Sequence, residues 1–237
     1  MVYHPAGGRR IPPVGARTEE RDIAVTAVIR VTPNDAHFPA ALTRCSSGDA
    51  PTFLDALGNL DLLQRPLLAF FASVRCPGRL ILQAHDLAQE LRRAGVPTIG
   101  GFHSPVEREA LTVLLRGEQP IVVCPARGLA RMRVPRGYRA PLEAGCLLLL
   151  SPFDEHVRRA TAQTAQRRNR LVAALAQWVF VAYAAPGGKT EAFCRETVAW
   201  GKLLYTFAGN ENLVEMGAQV LQPGDGLSFF DTTGIDE

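Results

Sequence analysis

Six short apolar runs, separated by stretches with helical spacing, constrain the fold of this chain more than any other feature. They cover residues 67–73, 96–100, 120–124, 146–150, 178–182 and 203–207. A continuous apolar run of this length is typical of a strand that is buried on both faces of a sheet. Strands that alternate with helices favour a mostly parallel sheet with helices packed on both sides.

The stretches between these runs carry the start and stop signals of helices. Apolar spacing predicts a helix over 80–94 that ends at Gly95, and Ser104 followed by Pro105 predicts the start of the next helix. Other predicted elements are helices over 105–116, 157–176 and 190–200, a strand over 23–32, short helical pieces over 38–65 and a basic loop over 125–138. We therefore expect an α/β fold: a Rossmann-like three-layer sandwich with a mostly parallel sheet and a short N-terminal extension.

The chain divides into three predicted parts. These are an N-terminal arm and lead-in segment over 1–65, the Rossmann-like domain over 66–222, and an acidic C-terminal tail over 223–237. The stretch 1–22 is rich in Pro, Gly and Arg and lacks the apolar core of a signal peptide. No apolar run approaches the ~20 residues that a membrane helix needs. We therefore expect a cytoplasmic protein that has no membrane partner.

The cysteines and histidines do not indicate a metal site. All five cysteines are scattered without a Cys-x-x-Cys pair, and the five histidines lack ligand spacing. In a reducing compartment such cysteines are expected to be small core residues. A Gly-x-Ser-x-Gly nucleophile pattern is also missing. The sequence thus predicts no metal, no cofactor and no catalytic residue.

Arginine is concentrated in one part of the chain. Between Arg116 and Arg170, eleven arginines stand against four acidic residues, whereas the whole chain has a net charge of +3. The guanidinium fork binds phosphate oxygens with two parallel hydrogen bonds, so clustered arginine favours a phosphate-bearing partner. A solvated basic surface is the alternative interpretation.

The first candidate ligand site follows the second apolar run. Ligands of parallel α/β sheets bind beyond the carboxyl ends of the strands, where Gly100, Gly101 and Ser104 are placed by the predicted elements. Two glycines let a ligand approach the backbone, and a helix start offers free N–H groups to an anion. A tight turn without a ligand is the alternative. Glu107 either faces the same opening or caps its own helix.

Two further segments are candidates for binding phosphate. Arg168, Asn169 and Arg170 share one predicted helix; the arginines suit phosphate, and the asparagine suits a base or ribose. Alternatively, both arginines pair with acidic residues across the rim of the sheet. The second segment, Gly187-Gly188-Lys189-Thr190, looks like the end of a P-loop, but Tyr183 stands where that motif needs its first glycine. It can still meet phosphate at a helix N-terminus.

Taken in chain order, these features resemble the DprA/Smf family of DNA-processing proteins, within the SLOG group of nucleotide-binding Rossmann-like domains. The resemblance covers residues 38–207. It is carried by Phe38-Pro39, Leu42, Pro51-Thr52-Phe53-Leu54, Gly58-Asn59, Leu62-Leu63, Ser73-Val74-Arg75, Gly100-Gly101, Arg168-Asn169-Arg170 with Ala173 and Leu175, and Gly187-Gly188-Lys189-Thr190. The sequence departs from the family directly after Gly100-Gly101. The family's Ala-x-Gly-Ile-Asp is replaced there by residues 102–107, and Glu107 takes the acidic position.

The resemblance implies a protein that binds single-stranded DNA in a basic pocket, forms a homodimer and passes the strand to the RecA recombinase. The implied binding residues are Ser73, Arg75, Gly100, Gly101, Ser104, Arg168, Asn169, Arg170, Gly187, Gly188, Lys189 and Thr190, with Phe102, His103, Glu107 and Arg127 as secondary candidates. Phe102, Phe153 and Tyr138 are expected to offer stacking faces to bases. Two alternatives stay open: a SLOG-type sensor of a small nucleotide, and a phosphoribohydrolase that resembles the LOG enzymes, whose Gly-Gly-Gly-x-Gly-Thr-x-x-Glu pattern is missing here.

Overall fold

The structure, a computed structural model, describes residues 27–43, 50–221 and 227. Its strands are β1 (Ile29–Val31), β2 (Leu54–Gly58), β3 (Leu68–Phe71), β4 (Thr98–Gly100), β5 (Ile121–Val123), β6 (Leu147–Ser151), β7 (Trp178–Val181), β8 (Leu203–Phe207) and β9 (Gln219–Leu221). Its α-helices are α1 (Ala40–Thr43), α2 (Gly78–Ala94), α3 (Pro105–Leu114), α4 (Arg136–Glu143), α5 (Ala162–Leu175), α6 (Lys189–Ala199) and α7 (Glu211–Val214). A 3-10 helix covers Leu60–Gln64.

The nine strands of the described part form one sheet in the order β1-β2-β6-β5-β4-β3-β7-β8-β9. The pairs β1–β2 and β2–β6 are antiparallel, and the remaining pairs are parallel. Helices α2 and α3 pack on one face of the sheet, whereas α5 and α6 pack on the other. The predicted fold class, a Rossmann-like α/β fold with a mostly parallel sheet, is confirmed.

The central strands are buried on both faces, as their apolar composition predicts. Every residue of β3, β6 and β7 is buried. Successive side chains of a strand point to opposite faces, so each strand supplies both core layers. Phe70 and Phe180 are register partners on the α2 side, with ring centroids 5.1 Å apart, while Phe71 belongs to the core on the α5 side.

The predicted helix ends are found at Gly95 and Ser104. Gly95 follows α2 in the left-handed conformation with φ +72°, and its N–H donates to the carbonyl of Arg92. Ser104 and Glu107 form a reciprocal capping box at the start of α3, with Pro105 in the first turn. These local signals therefore fix where α2 ends before β4 and where α3 begins after it.

Two predictions of local structure were only partly right, because packing overrides weak local signals. The segment 38–65 contains the predicted short helical pieces, α1 and the 3-10 helix, but it also contains strand β2, whose Asp55 and Gly58 are poor strand formers. Long-range pairing with β6 compensates, and Arg30 on β1 binds Asp55 through two hydrogen bonds. The predicted basic loop over 125–138 runs into helix α4 at Arg136; Tyr138, in the first turn of α4, packs against the core.

The remaining differences concern element boundaries. Helix α5 begins at Ala162 and not at 157, because Thr161 caps it by accepting a hydrogen bond from the Thr164 N–H. Elements α7 and β9 follow the last predicted strand. The strand predicted over 23–32 is found only as β1, and residues 23–26 lie outside the described residues.

The predicted arm over 1–22 and the tail over 223–237, apart from Leu227, also lie outside the described residues. The division of the chain at residue 66 stays a prediction, although β1 and β2 from the lead-in segment join the same sheet as β6. No helix in the described ranges is long and apolar enough to cross a bilayer.

Candidate functional site

A topological switch point lies where two neighbouring parallel strands send the chain to opposite faces of the sheet. Strands β3 and β7 lie side by side, but α2 after β3 and α6 after β7 pack on different faces. Such a switch point at the carboxyl edge is the usual ligand position of an open α/β sheet. Two predicted residues meet there: Ser73 Oγ donates to Thr190 Oγ1 at 3.0 Å and accepts from the N–H of Ala185 at 3.2 Å.

The loop between β7 and α6 is held by a buried carboxylate. Gly187 has φ +69°, and its N–H donates to Glu191 Oε2 at 2.8 Å. The same carboxylate accepts from Asn212 Nδ2 at 2.9 Å and pairs with Arg195. The hydrogen bonds from Arg195, then Asn212, then Gly187 lower the pKa of Glu191 to about 2. An ionised Glu191 therefore fixes the glycine turn in front of Lys189.

A second side chain, Asn210, anchors the other end of this loop. Its Oδ1 accepts from the N–H of Ala184 at 3.3 Å, and its Nδ2 donates to Ala182 O at 3.0 Å and Thr206 Oγ1 at 2.8 Å. Asn210, Asn212 and Glu191 are not among the site residues predicted from the sequence. The available signal was two asparagines directly after β8, at the same carboxyl edge as the glycine turns.

The turn after β4 is strained and closed by an aromatic ring. Phe102 has φ +47°, a left-handed conformation that costs a residue other than glycine about 1–2 kcal/mol. Its ring covers Gly100, where a Cβ would lie 2.9 Å from Phe102 Cζ. Phe102 and Phe153 are both buried, and Arg167 lies over the Phe153 ring at 5.7 Å. Both rings thus lie in the protein interior, and the expectation that they stack on bases stays a prediction.

Glu107 caps its own helix and uses the N–H groups of the predicted anion cradle. Its Oε2 accepts from His103 N at 2.7 Å and Ser104 N at 3.2 Å, and its Oε1 accepts from Ala72 N at 3.0 Å. The N–H groups of His103 and Ser104 are therefore already hydrogen-bonded within the protein, and anion binding at this turn stays a prediction. The carboxylate also ties the end of β3 to the turn before α3.

Arg168 is the charged group that this turn does hold. Its guanidinium lies directly on Gly101: a Cβ there would be 1.5 Å from Nη1. Nη1 donates to Cys124 O at 2.9 Å, and Nε donates to Asn169 Oδ1 at 2.7 Å. Only 4% of Arg168 is exposed. Burial lowers its pKa, and the Glu107 carboxylate opposes that shift, so the guanidinium stays protonated.

A cavity of about 420 Å³, here called the arginine cleft, opens above this guanidinium. Its lining includes Gly101, His103, Arg127, Thr161, Ala165 and Arg168. The cleft thus brings together residues of the β4–α3 turn, the β5–α4 loop and the start of α5. His103 is exposed, and Arg127 is half-buried. The predicted residues Gly101 and Arg168 and the secondary candidates His103 and Arg127 all meet here.

Other predicted residues lie elsewhere on the rim. Arg170 pairs with Glu196 at 2.7 Å, the alternative that the sequence left open for it. Lys189 and Thr190 line a second cavity, which also contains Asn169. Arg75 is exposed on the loop after β3. The described residues contain no cluster of His, Cys, Asp or Glu that could hold a metal ion.

The fold and this rim define a class: a Rossmann-like protein with a cleft lined by arginines at the carboxyl edge of its sheet. The family model of DNA recombination-mediator protein A matches residues 30–228, and the chain belongs to that family. The predicted DprA resemblance is confirmed, as is the predicted class of DNA-processing recombination mediator. A comparison with curated proteins finds no match.

Two solved structures share the fold. DNA processing protein A of Streptococcus pneumoniae is 21% identical with a TM-score of 0.71, over 84% of this chain and 73% of that one. DNA processing protein A of Helicobacter pylori, which is described for its single-stranded DNA binding mode, is 22% identical with a TM-score of 0.66, over 82% and 91%.

Proposed function

We propose that this protein binds single-stranded DNA through phosphates seated in the arginine cleft. The observation that carries the proposal is the buried guanidinium of Arg168. Its hydrogen bonds go to the uncharged oxygens of Cys124 and Asn169, and its charge interacts with the carboxylate of Glu107 without a direct hydrogen bond among the described contacts. A buried positive charge beside a cleft attracts a phosphate more strongly than an exposed arginine does.

The shape of the cleft favours a single strand. Arg168 lies at its floor, so a phosphate must enter a cavity between the β4–α3 turn and α5. A flexible single strand can place one phosphate there, whereas the grooves of a rigid duplex expose their phosphates along a broad surface. The Helicobacter pylori relative, described as binding single-stranded DNA, supports the same assignment.

The variants Arg168→Ala and Arg170→Ala distinguish an arginine that lines the cleft from one beside it. Arg93→Ala, at an exposed arginine on α2, is the matched control. Fluorescence anisotropy with oligo-dT at two or more salt concentrations measures affinity and its salt dependence. We expect Arg168→Ala to weaken binding about tenfold or more and to reduce the salt slope by about one phosphate contact. Arg170→Ala should act mainly on stability, because Arg170 pairs with Glu196. Wild-type affinity and slope in Arg168→Ala would refute the proposal.

We also propose that the protein acts as a binding mediator and not as an enzyme. Ser73, whose hydroxyl lies at the switch point between β3 and β7, is hydrogen-bonded to Thr190 and Ala185, and neither of these partners is a general base. As family membership suggests, we propose that the chain works in the cytoplasm, forms a homodimer and hands its strand to RecA. Light scattering tests the dimer, and RecA filament assembly on protein-coated DNA tests the transfer.

A small nucleotide is the second candidate ligand, because a cavity of about 420 Å³ lies within the size range of small-molecule sites. Competition by mononucleotides against oligo-dT measures this directly. Displacement of the strand at micromolar mononucleotide would favour the sensor function over the mediator function.

A further inference from the structure

A second cavity, of about 550 Å³, lies between the N-terminal halves of α5 and α6. We call it the amide cleft. It sits on the other side of α5 from the arginine cleft, and Ala162 and Ala165 line both cavities. Its remaining lining residues are Gln163, Gln166, Asn169, Lys189, Thr190, Ala192, Phe193 and Glu196.

Three carboxamides follow one another along a single face of α5. Gln163, Gln166 and Asn169 are spaced three residues apart, which places them on neighbouring turns of the helix. Asn169 Oδ1 already accepts from Arg168 Nε at 2.7 Å, which orients the Asn169 amide and leaves its nitrogen as a donor. A carboxamide offers a donor beside an acceptor, and this pair matches the hydrogen-bonding edge of a nucleobase, adenine above all.

The rest of the amide cleft suits a flat ring. Ala162, Ala165 and Ala192 form small, apolar walls. Phe193 closes the floor, and its buried ring packs edge-on against Phe71 with centroids 4.9 Å apart. An aromatic floor with alanine walls leaves space for a planar heterocycle and gives it apolar contact.

The charges around the amide cleft suit the phosphate of a nucleotide whose base is bound there. Lys189 is exposed at the start of α6, where its ammonium can meet a phosphate. Glu196 is the acidic residue of the lining, and Arg170 binds it at 2.7 Å. Its negative charge is therefore neutralised and does not repel the phosphate.

We propose that the amide cleft is a nucleobase site, in which Gln163, Gln166 and Asn169 bind the base edge and Lys189 binds its phosphate. If the base belongs to a DNA strand, this proposal rests on the proposed function, because a neighbouring phosphate of the same strand then occupies the arginine cleft. A free nucleotide carries the same chemistry, so the experiment distinguishes the two sources.

The test compares an oligo-dA strand with a strand of equal length made only of abasic sugar-phosphate units. Two exposed positions are changed, Gln166→Ala and Ala192→Trp, of which the second fills the cleft. The control is Gln177→Ala, an exposed glutamine just beyond the C-terminal end of α5. Unfolding midpoints of all variants establish that each is folded.

We expect wild type to bind oligo-dA about tenfold more tightly than the abasic strand, in line with one well-made amide–base contact. Gln166→Ala and Ala192→Trp should lose this preference without changing affinity for the abasic strand, and Gln177→Ala should keep it. Equal affinity of wild type for both strands would overturn the base site while leaving the phosphate-binding function intact. A parallel loss of affinity for both strands in the variants would overturn it too.

If wild type binds neither strand, the proposed function fails, and deoxyadenosine monophosphate then decides the base site. Thermal stabilisation by this nucleotide that disappears in Gln166→Ala and persists in Gln177→Ala would support a site for the free nucleotide. Absence of stabilisation in wild type would overturn the proposal.

Discussion

Replacing Gly101 by alanine tests whether the buried guanidinium depends on a glycine beneath it. The new Cβ would lie 1.5 Å from Nη1 and 1.9 Å from Cζ of Arg168. Carbon contacts are favourable only near ~3.5 Å, so the guanidinium has to move by about 2 Å. That displacement breaks the 2.9 Å hydrogen bond from Nη1 to Cys124 O and takes the charge away from the floor of the arginine cleft.

The expected magnitude follows from these contacts. Losing a hydrogen bond from a charged donor costs about 1.5–3 kcal/mol. The backbone of Gly101 is not left-handed, so alanine recovers about 0.4–1 kcal/mol by restricting the unfolded chain. The free energy of unfolding should fall by about 1–2 kcal/mol, which lowers Tm by about 2–8 °C in a chain of this size. Affinity for oligo-dT should fall about tenfold, because the phosphate loses a charge-assisted contact.

Urea unfolding and fluorescence anisotropy measure the two effects. Gly137→Ala is the matched control, because Gly137 lies in α4 with open space around its Cα, so alanine there should be neutral or stabilising by up to about 1 kcal/mol. In an Arg168→Ala background, Gly101→Ala should cost far less, since the clash has gone. The reasoning is refuted if Gly101→Ala matches Gly137→Ala in both assays, or if its full penalty persists without Arg168.

Glu107→Gln places an NH2 group against backbone N–H donors that now share the carboxylate of Glu107. The free energy of unfolding should fall by about 1–3 kcal/mol, which is seen as a lower urea midpoint. An unchanged midpoint would contradict the capping role of Glu107. Because the folded-state pKa of Glu191 is about 2, below its ordinary 4.5, this carboxylate adds stability above about pH 4.5 that is lost as the pH falls toward 2. Glu191→Gln should flatten that part of the stability–pH curve, and a parallel curve would count against the assignment. Lys202→Met removes hydrogen bonds from Nζ to Ala174 O at 3.1 Å and to Ala176 O at 2.6 Å, at the C-terminal end of α5. The free energy of unfolding should fall by about 1.5–3 kcal/mol, measured by thermal unfolding. An equal Tm would show that these hydrogen bonds contribute nothing to stability.

The core of the fold could be predicted because its signals are local. Strands β3 to β8 coincide with short apolar runs, and Gly95 and Ser104 mark helix ends through their own backbone and side-chain chemistry. Strand β2 and helix α4 could not be predicted in this way. Asp55 is buried in β2 opposite Arg30, and α4, which contains Gly137 and Pro141, packs on the core through Tyr138 and Leu142, contacts that the local sequence does not show.

The site was predicted residue by residue, but its contacts join segments that are distant in the chain. Ser73 meets Thr190, and Arg168 meets Gly101, as expected for loops at one carboxyl edge. The sequence offers helix capping as one role of Glu107, but it does not show that this carboxylate also accepts hydrogen bonds from the N–H groups of His103 and Ala72. The amide face of α5 could not be predicted, because glutamine on an exposed helix usually contacts only water and because the cleft beside this face is completed by α6, a segment distant in the chain.

One helix, α5, separates the arginine cleft from the amide cleft, and its residues Ala162 and Ala165 line both cavities. A ligand that displaces α5 from one side therefore alters the width of the opening on the other. Thermodynamic reciprocity requires the two affinities to change by the same factor, whichever ligand is added first. A larger side chain at residue 165 would therefore narrow both cavities at once.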